Sequence, residues 1–221
     1  MGDYAEWITP RDKRWDPNQK SISDWVEPDN IAECQTRWLE DLFRPIWKKC
    51  VGLHYGNHEE SIRIYNHNNV QKNLCERLGV DNLGYSSFIR LFFRRENSNE
   101  THIIKCVFTH GSSSAITKGA KLNKLRRFMD DFEANIYGYA HMHDIIIDYK
   151  PYITLTPRAF GQSDIKSIEG VGVVTGCWFR TYTRGIHASY GERKAYPPTS
   201  IGCPVITIDA STQSIEAHKS R

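Results

Sequence analysis

The chain has 221 residues, 39% of them hydrophobic and 12% aromatic, with a formal net charge of +3. That length suits one domain over residues 1–221 better than two small ones, and the composition supports a buried core. The mild charge singles out no partner, no stretch approaches the roughly 20 apolar residues of a membrane span, and residues 1–30 lack the apolar region of a signal peptide, so a cytoplasmic protein with no membrane partner is expected.

Residues 7–30 are rich in Pro, Asp, Asn, Arg and Trp without periodicity and read as an irregular loop. A helix follows over 31–49, with apolar residues near a 3.6 period, a cap from Asp29 or Asn30 and a kink at Pro45. Residues 51–55 form a short strand running into Gly56. Two helical pieces come next, near 61–65 and 70–78, the second stopping at Gly79. Strands at 88–93 and 103–108 flank a polar turn at 96–100, a hairpin pattern. Residues 118–132 form a basic amphipathic helix. Short strands follow at 136–139, 145–148 and 152–155, then at 171–182 and 205–208. Helices and strands alternate early and strands dominate late, which suggests an α/β fold with two packed sheets. The six cysteines, at 34, 50, 75, 106, 177 and 203, form no CxxC pair. That pattern argues against a zinc knuckle and for reduced thiols.

Three histidine motifs stand where strands end: Gly56-Asn57-His58-Glu59, His110-Gly111 and His141-Met142-His143, with Gly2-Asp3 ahead of them. A glycine at a strand end lets the backbone turn and presents the next side chains at the sheet's carboxyl edge, where open α/β sheets bind ligands. Asn57 offers an amide oxygen, Asp3 a carboxylate able to bridge two cations, and His110, His141 and His143 offer imidazoles. His58 can exchange a proton near neutral pH. On an extended segment, His141 and His143 point to opposite sides and reach different partners. Each motif alone is also compatible with a bland reading: a capping Asn, a strand-end His, a polar edge or a loose terminus.

Taken together and in order, the motifs resemble the calcineurin-like metallophosphoesterase family, whose blocks run DxH, GDxxD, GNH(E/D), a strand-end His with Gly, and GHxH. GNHE is complete at 56–59. His110-Gly111 matches the fourth block. His141-Met142-His143 keeps the last HxH, with the glycine displaced to Gly138. Gly2-Asp3 matches the second block, with Glu6 in place of Asp or Asn. Arg11-Asp12-Lys13-Arg14, Gly119-Ala120 and Leu122-Asn123-Lys124-Leu125 are similar to segments of phage and bacterial members.

The resemblance implies a two-sheet α/β/β/α sandwich and two divalent metal ions, with Mn2+ expected ahead of Zn2+, Fe2+ or Co2+. It implies that Asp3 bridges both metals, that Asn57, His110 and His141 complete one site, and that His143 binds the other. His58 would protonate the leaving alkoxide or steady the transition state. A metal-bound hydroxide would attack a phosphate mono- or diester, with a nucleotide or nucleic acid as the leading substrate class.

One block departs. No DxH precedes Asp3, because only Met1 and Gly2 stand there. Three readings are open: an N-terminally incomplete sequence, a short form completed by a partner chain, or a degenerate remnant that binds metal or nucleic acid, or serves as an interaction module, without turnover. Elsewhere, Lys118, Lys121, Lys124, Arg126 and Arg127 read as a solvated helix face or a phosphate-backbone patch. Trp15 and Trp25 among cations read as base-stacking or loop-packing residues. Ser112, Ser113 and Ser114 read as a small-residue loop. His54, His67, His102, His187 and His218 match no block and read as structural or exposed.

Overall fold

The computed structural model describes residues 1–12, 14–15, 22–99, 101–155, 161–183 and 188–220, and the statements below concern these. They form two compact units, Met1–Ser87 with Thr109–Gly111 and Phe88–Phe108 with Ser112–Arg221, and both helices and sheets are present. The α/β class expected from the sequence holds. His187 and Lys13, named above, lie outside the described residues.

In the first unit, α1 spans Ile31–Phe43 after a 3-10 turn at Pro28–Asn30. It stops two residues before Pro45, which has no N–H to continue the ladder, so the expected kink is instead a helix end followed by a 3-10 turn at Trp47–Lys49. β1 is only Leu53–His54 and pairs in parallel with β2, Asn82–Gly84, a strand the sequence reading missed. α2 spans Asn57–Asn66 and not only the expected 61–65. The GNHE motif is therefore the first turn of a helix. α3 spans Val70–Leu78 as expected, capped by the Asn69 side chain accepting the Lys72 N–H at 3.0 Å and stopped at left-handed Gly79. Trp7, Leu39, Leu53, Ile62, Val70, Leu74 and Leu78 form this unit's core.

The second unit is built on a five-stranded sheet. β3 (Ser86–Arg94) and β4 (Thr101–Thr109) are longer than the expected strands, and β5 is Ile136–Tyr139. β6 runs unbroken over Ile145–Leu155 where two short strands were expected, and β7 is Ile165–Thr175, displaced from the expected 171–182. The strand order is β3-β4-β5-β7-β6. β6 is an edge strand, which tolerates the missing N–H of Pro151. β7 pairs antiparallel with β6 and parallel with β5.

Side chains alternate across this sheet, and the two faces bury different partners. Val107, Tyr137, Tyr139, Ile146 and Val174 pack with Leu125 and Met129 of α4, Lys118–Asp131. Their chain neighbours Cys106, Ile136, Ile147 and Val173 face the other way and pack with Ile206, Ile208, Ile215 and Ala217. Those four come from β8 (Pro204–Asp209) and β9 (Ser214–Lys219), an antiparallel pair of which only β8 was expected. The unit is thus layered helix, sheet, small sheet. A one-turn helix, α5, lies at Tyr190–Arg193.

The basic run of α4 is partly neutralised within the unit. Lys121 is buried, with Nζ 3.4 Å from Asp144 Oδ2, and Arg126 is held bidentately by Asp148 at 2.7 and 3.1 Å. Trp25 stacks on Trp38 of α1 with ring centroids 5.7 Å apart, so it packs its loop although it remains half exposed. All six cysteines are unpaired. No helix among the described residues is long and apolar enough to cross a membrane.

Candidate metal centre

Three of the expected ligands converge within the first unit. His110 follows β4 directly, and its backbone N–H donates to Tyr85 O at 2.9 Å. Its ring is 1% exposed. Nδ1 lies 2.8 Å from the Met1 carbonyl oxygen and Nε2 lies 3.2 Å from both Asp3 Oδ2 and Asn57 Oδ1. A hydrogen bond from Nδ1 to that carbonyl fixes the ring and leaves Nε2 as the atom facing carboxylate and amide oxygens, the usual way an outer partner orients a metal-binding imidazole. Tyr85 braces the ring edge-on, centroids 5.4 Å apart.

Two glycines make this convergence fit. A Cβ on Gly56 would stand 2.2 Å from Asp3 Oδ1 and 2.4 Å from His110 Cε1. One on Gly2 would stand 2.5 Å from the Gly56 nitrogen and 2.7 Å from His110 Nδ1. The strand-end glycine of GNHE is therefore required by close approach of the ligands and not by backbone conformation, since its φ of −117° suits any residue.

Asp3 is held at its backbone and its side chain. Its Oδ1 accepts the His58 N–H of α2 at 3.0 Å, and its own N–H donates to Glu59 Oε2 at 2.9 Å. Burial alone would push the Asp3 carboxyl up. The hydrogen bond with His110, the neighbouring His58 and His110 rings and the His58 N–H outweigh it and hold the carboxyl well below the usual carboxylate range. Burial likewise opposes charge on His110, but the Asp3 carboxylate raises its ring above the ordinary histidine value. A carboxylate facing an imidazolium is an arrangement in which a divalent cation can replace the proton on Nε2.

Glu59 received no role in the sequence reading, yet it organises the centre. It is 2% exposed, and its carboxylate accepts the N–H groups of Asp3, Tyr4 and Gly56 at 2.9, 3.0 and 2.8 Å. One side chain thus ties the Gly2-Asp3 segment to the first turn of α2. A signal was available: a glutamate three residues after a helix N-cap reaches back to the cap's N–H.

His58 sits on the same helical turn. Its Nδ1 is 3.2 Å from Ala5 O and 3.5 Å from Glu6 Oε2, and its Nε2 is 3.0 Å from Arg14 Nη1. Asp12 holds Arg14 through Nε at 3.0 Å and Nη2 at 2.8 Å, which aims the remaining Nη1 at His58. In the sequence Arg14 reads as part of a segment and as one of the cations around Trp15 and Trp25; its link to His58 is not legible there, because its partners are 2 and 44 residues away and the fold brings them together.

In the second unit, His141 and His143 follow β5. They flank Met142, which is 5% exposed and points into the core beneath α4. Both histidines adopt left-handed backbone, φ +65° and +48°, so the segment is a tight turn and not the extended one expected. That removes the alternation argument for where their rings point. Asp3 is also left-handed, at +54°. Eight described non-glycine residues have positive φ, and three of them are expected metal ligands. Such strain costs about 1–3 kcal/mol per residue and concentrates at functional sites.

The donor set of carboxylate, amide oxygen and imidazole suits a divalent transition metal, and Asp3, His110 and His141 each offer one ligand atom of that kind. No protein-family model, curated protein or solved structure matches this chain.

Proposed function

We propose that the chain is a metal-dependent phosphoesterase of the calcineurin-like type, acting on phosphate mono- or diesters, with a nucleotide or nucleic acid as the leading class. The observation that carries this reading is the approach of Asp3 and Asn57 to His110 Nε2, with His58 one residue from Asn57 on the same helical turn. The family's order of motifs predicts that combination, and the glycine-lined fit at Gly56 supports a site built for close ligand approach. The resemblance extends the ligand set to His141 and His143 and the fold to the two-sheet sandwich. The layering of the second unit is compatible with that sandwich.

Bound divalent cations, Mn2+ foremost, would activate water and neutralise the phosphate charge. The chain's own groups would do the rest. Asp3 would help hold the cations. Glu59 would keep Asp3 in place through its backbone. Arg14, oriented by Asp12, would bind a phosphate oxygen with Nη1, a charge-assisted contact suited to a guanidinium. His58 Nε2, once released from Arg14 Nη1 and protonated, would deliver that proton to the leaving oxygen.

The test is hydrolysis of bis(p-nitrophenyl) phosphate with added Mn2+. Saturable, Mn2+-dependent turnover is expected, with His58→Ala lowering kcat by about 100-fold or more while Mn2+ binding persists. Turnover indifferent to metal, or a His58→Ala rate equal to the parent's, would defeat the reading.

A further inference from the structure

β5 and β7 are parallel neighbours with Tyr139 opposite Val174, so the chain leaves both strands at one edge of the sheet. Residues 140–144 and 176–182 therefore run side by side, tied by the Gly176 N–H donating to Asp144 O at 2.8 Å. Gly176 makes the turn: its φ is +78°, and a Cβ there would lie 2.1 Å from Gly202 O. The strand expected over 171–182 ends here, and its aromatic continuation is displayed at the sheet edge.

Phe179 stands against His143, ring centroids 6.0 Å apart and planes at 45°. It is fixed from behind. Its carbonyl accepts the Thr199 hydroxyl at 2.8 Å, and its ring packs so closely on Gly191 that a Cβ there would be 3.0 Å from Cε1. Two residues on, buried Thr181 accepts the Ser189 hydroxyl at 2.6 Å through its carbonyl. Trp178, by contrast, is 75% exposed, and Arg180 is exposed beside it. An anchored phenyl ring beside an expected metal ligand, between a solvent-facing indole and a cation, has the composition of a base-stacking surface with a phosphate-binding charge.

We propose that Phe179, with Trp178, is a stacking platform for a nucleobase, which makes nucleobase-bearing phosphoesters the preferred substrates over phosphoesters that share the leaving group but lack a nucleobase. The proposal rests on the phosphoesterase reading only in taking His143 to lie at the phosphate. Stacking one base on an aromatic side chain is worth about 5- to 100-fold in binding.

Two substrates with the same leaving group separate the platform from the chemistry: thymidine 5′-(p-nitrophenyl phosphate) and methyl p-nitrophenyl phosphate, each with Mn2+. The parent protein is expected to favour the thymidine ester by about 5- to 100-fold in kcat/KM, mainly through KM. Phe179→Ala removes that preference and leaves the methyl ester unchanged, and Phe179→Tyr restores it. Trp178→Ala, at an exposed position, lowers the preference without affecting folding. Equal loss on both esters in Phe179→Ala would mean that Phe179 only braces His143, and would overturn the proposal, as would a parent protein with no preference. If no variant turns over either ester, the phosphoesterase reading fails. Calorimetric titration with thymidine 5′-monophosphate, beside methyl phosphate, then still settles the platform. Thymidine monophosphate binding that weakens about 5- to 100-fold in Phe179→Ala upholds it, and absent or unchanged binding overturns it.

Discussion

Adding one methyl group at Gly56 should uncouple metal binding from folding. Gly56 has φ −117°, a conformation alanine adopts freely, so Gly56→Ala introduces no backbone strain. The new Cβ, however, would lie 2.2 Å from Asp3 Oδ1 and 2.4 Å from His110 Cε1, where ordinary contact begins at 3.4 Å. Asp3 must retreat by 3.4 − 2.2 = 1.2 Å and His110 by 3.4 − 2.4 = 1.0 Å. Overpacking of this kind costs about 1–3 kcal/mol, which a folded domain survives. A metal site tolerates only about 0.2 Å of error in ligand distance. Mn2+ affinity should therefore fall by more than about 100-fold, beyond the loss of one supporting residue. Urea denaturation followed by circular dichroism reads the first quantity, and a Mn2+ titration followed by electron paramagnetic resonance reads the second. Gly119→Ala on α4 is the control, since a Cβ there meets nothing within 4 Å. A folded Gly56→Ala protein that binds Mn2+ within about threefold of the parent, well inside that predicted loss, would refute the placement of the centre.

Three further outcomes follow from the same geometry. Glu59→Ala strands three backbone N–H groups and should cost about 3–5 kcal/mol, read as a drop in urea midpoint; a loss under about 1 kcal/mol would show that the tether is dispensable. Burial lowers the His54 ring to about 4, and its Nε2 lies 2.8 Å from Ser87 Oγ. The stability this neutral ring contributes is complete above the unfolded value near 6.5 and is lost as pH falls from 6.5 toward 4. His54→Gln should therefore shrink the difference between urea melts at pH 7.5 and 4.5 by about 2 kcal/mol, and an unchanged difference would contradict the assignment. Arg14→Ala should raise KM or lower kcat for a phosphodiester by about tenfold or more with Mn2+ affinity unchanged, whereas equal loss of metal binding would make Arg14 a structural residue only.

The parts of the fold that the sequence disclosed are those where local signals agree with tertiary ones. α3 reads cleanly at its end because Gly79 stops it in left-handed backbone, while its start is fixed by the Asn69 cap that the structure shows. β6 reads as two strands because Pro151 interrupts it, and only its edge position makes the proline harmless. β7 begins earlier than expected because residues 165–169 interleave Lys166, Ser167 and Glu169 with isoleucines and are mostly exposed, while the apolar residues after Gly176 look like strand but are turned away by its left-handed backbone. β9 buries only Ile215 and Ala217, too weak an alternation to see. At the centre, the ligand types were visible in GNHE, His110 and Asp3. The work of Glu59 was not, because its partners are backbone N–H groups of which two are more than 50 residues away. The alternation argument for His141 and His143 failed because both adopt left-handed backbone.

The most direct test of the account is a Mn2+ titration of the 221-residue chain beside Asp3→Ala, with folding of both checked by circular dichroism. Saturable binding by the parent that Asp3→Ala abolishes while remaining folded is the expected result. A parent chain that binds no Mn2+, Zn2+, Fe2+ or Co2+ above background, or an Asp3→Ala variant that binds as tightly as the parent, would contradict the assignment of a metal centre and the phosphoesterase reading with it.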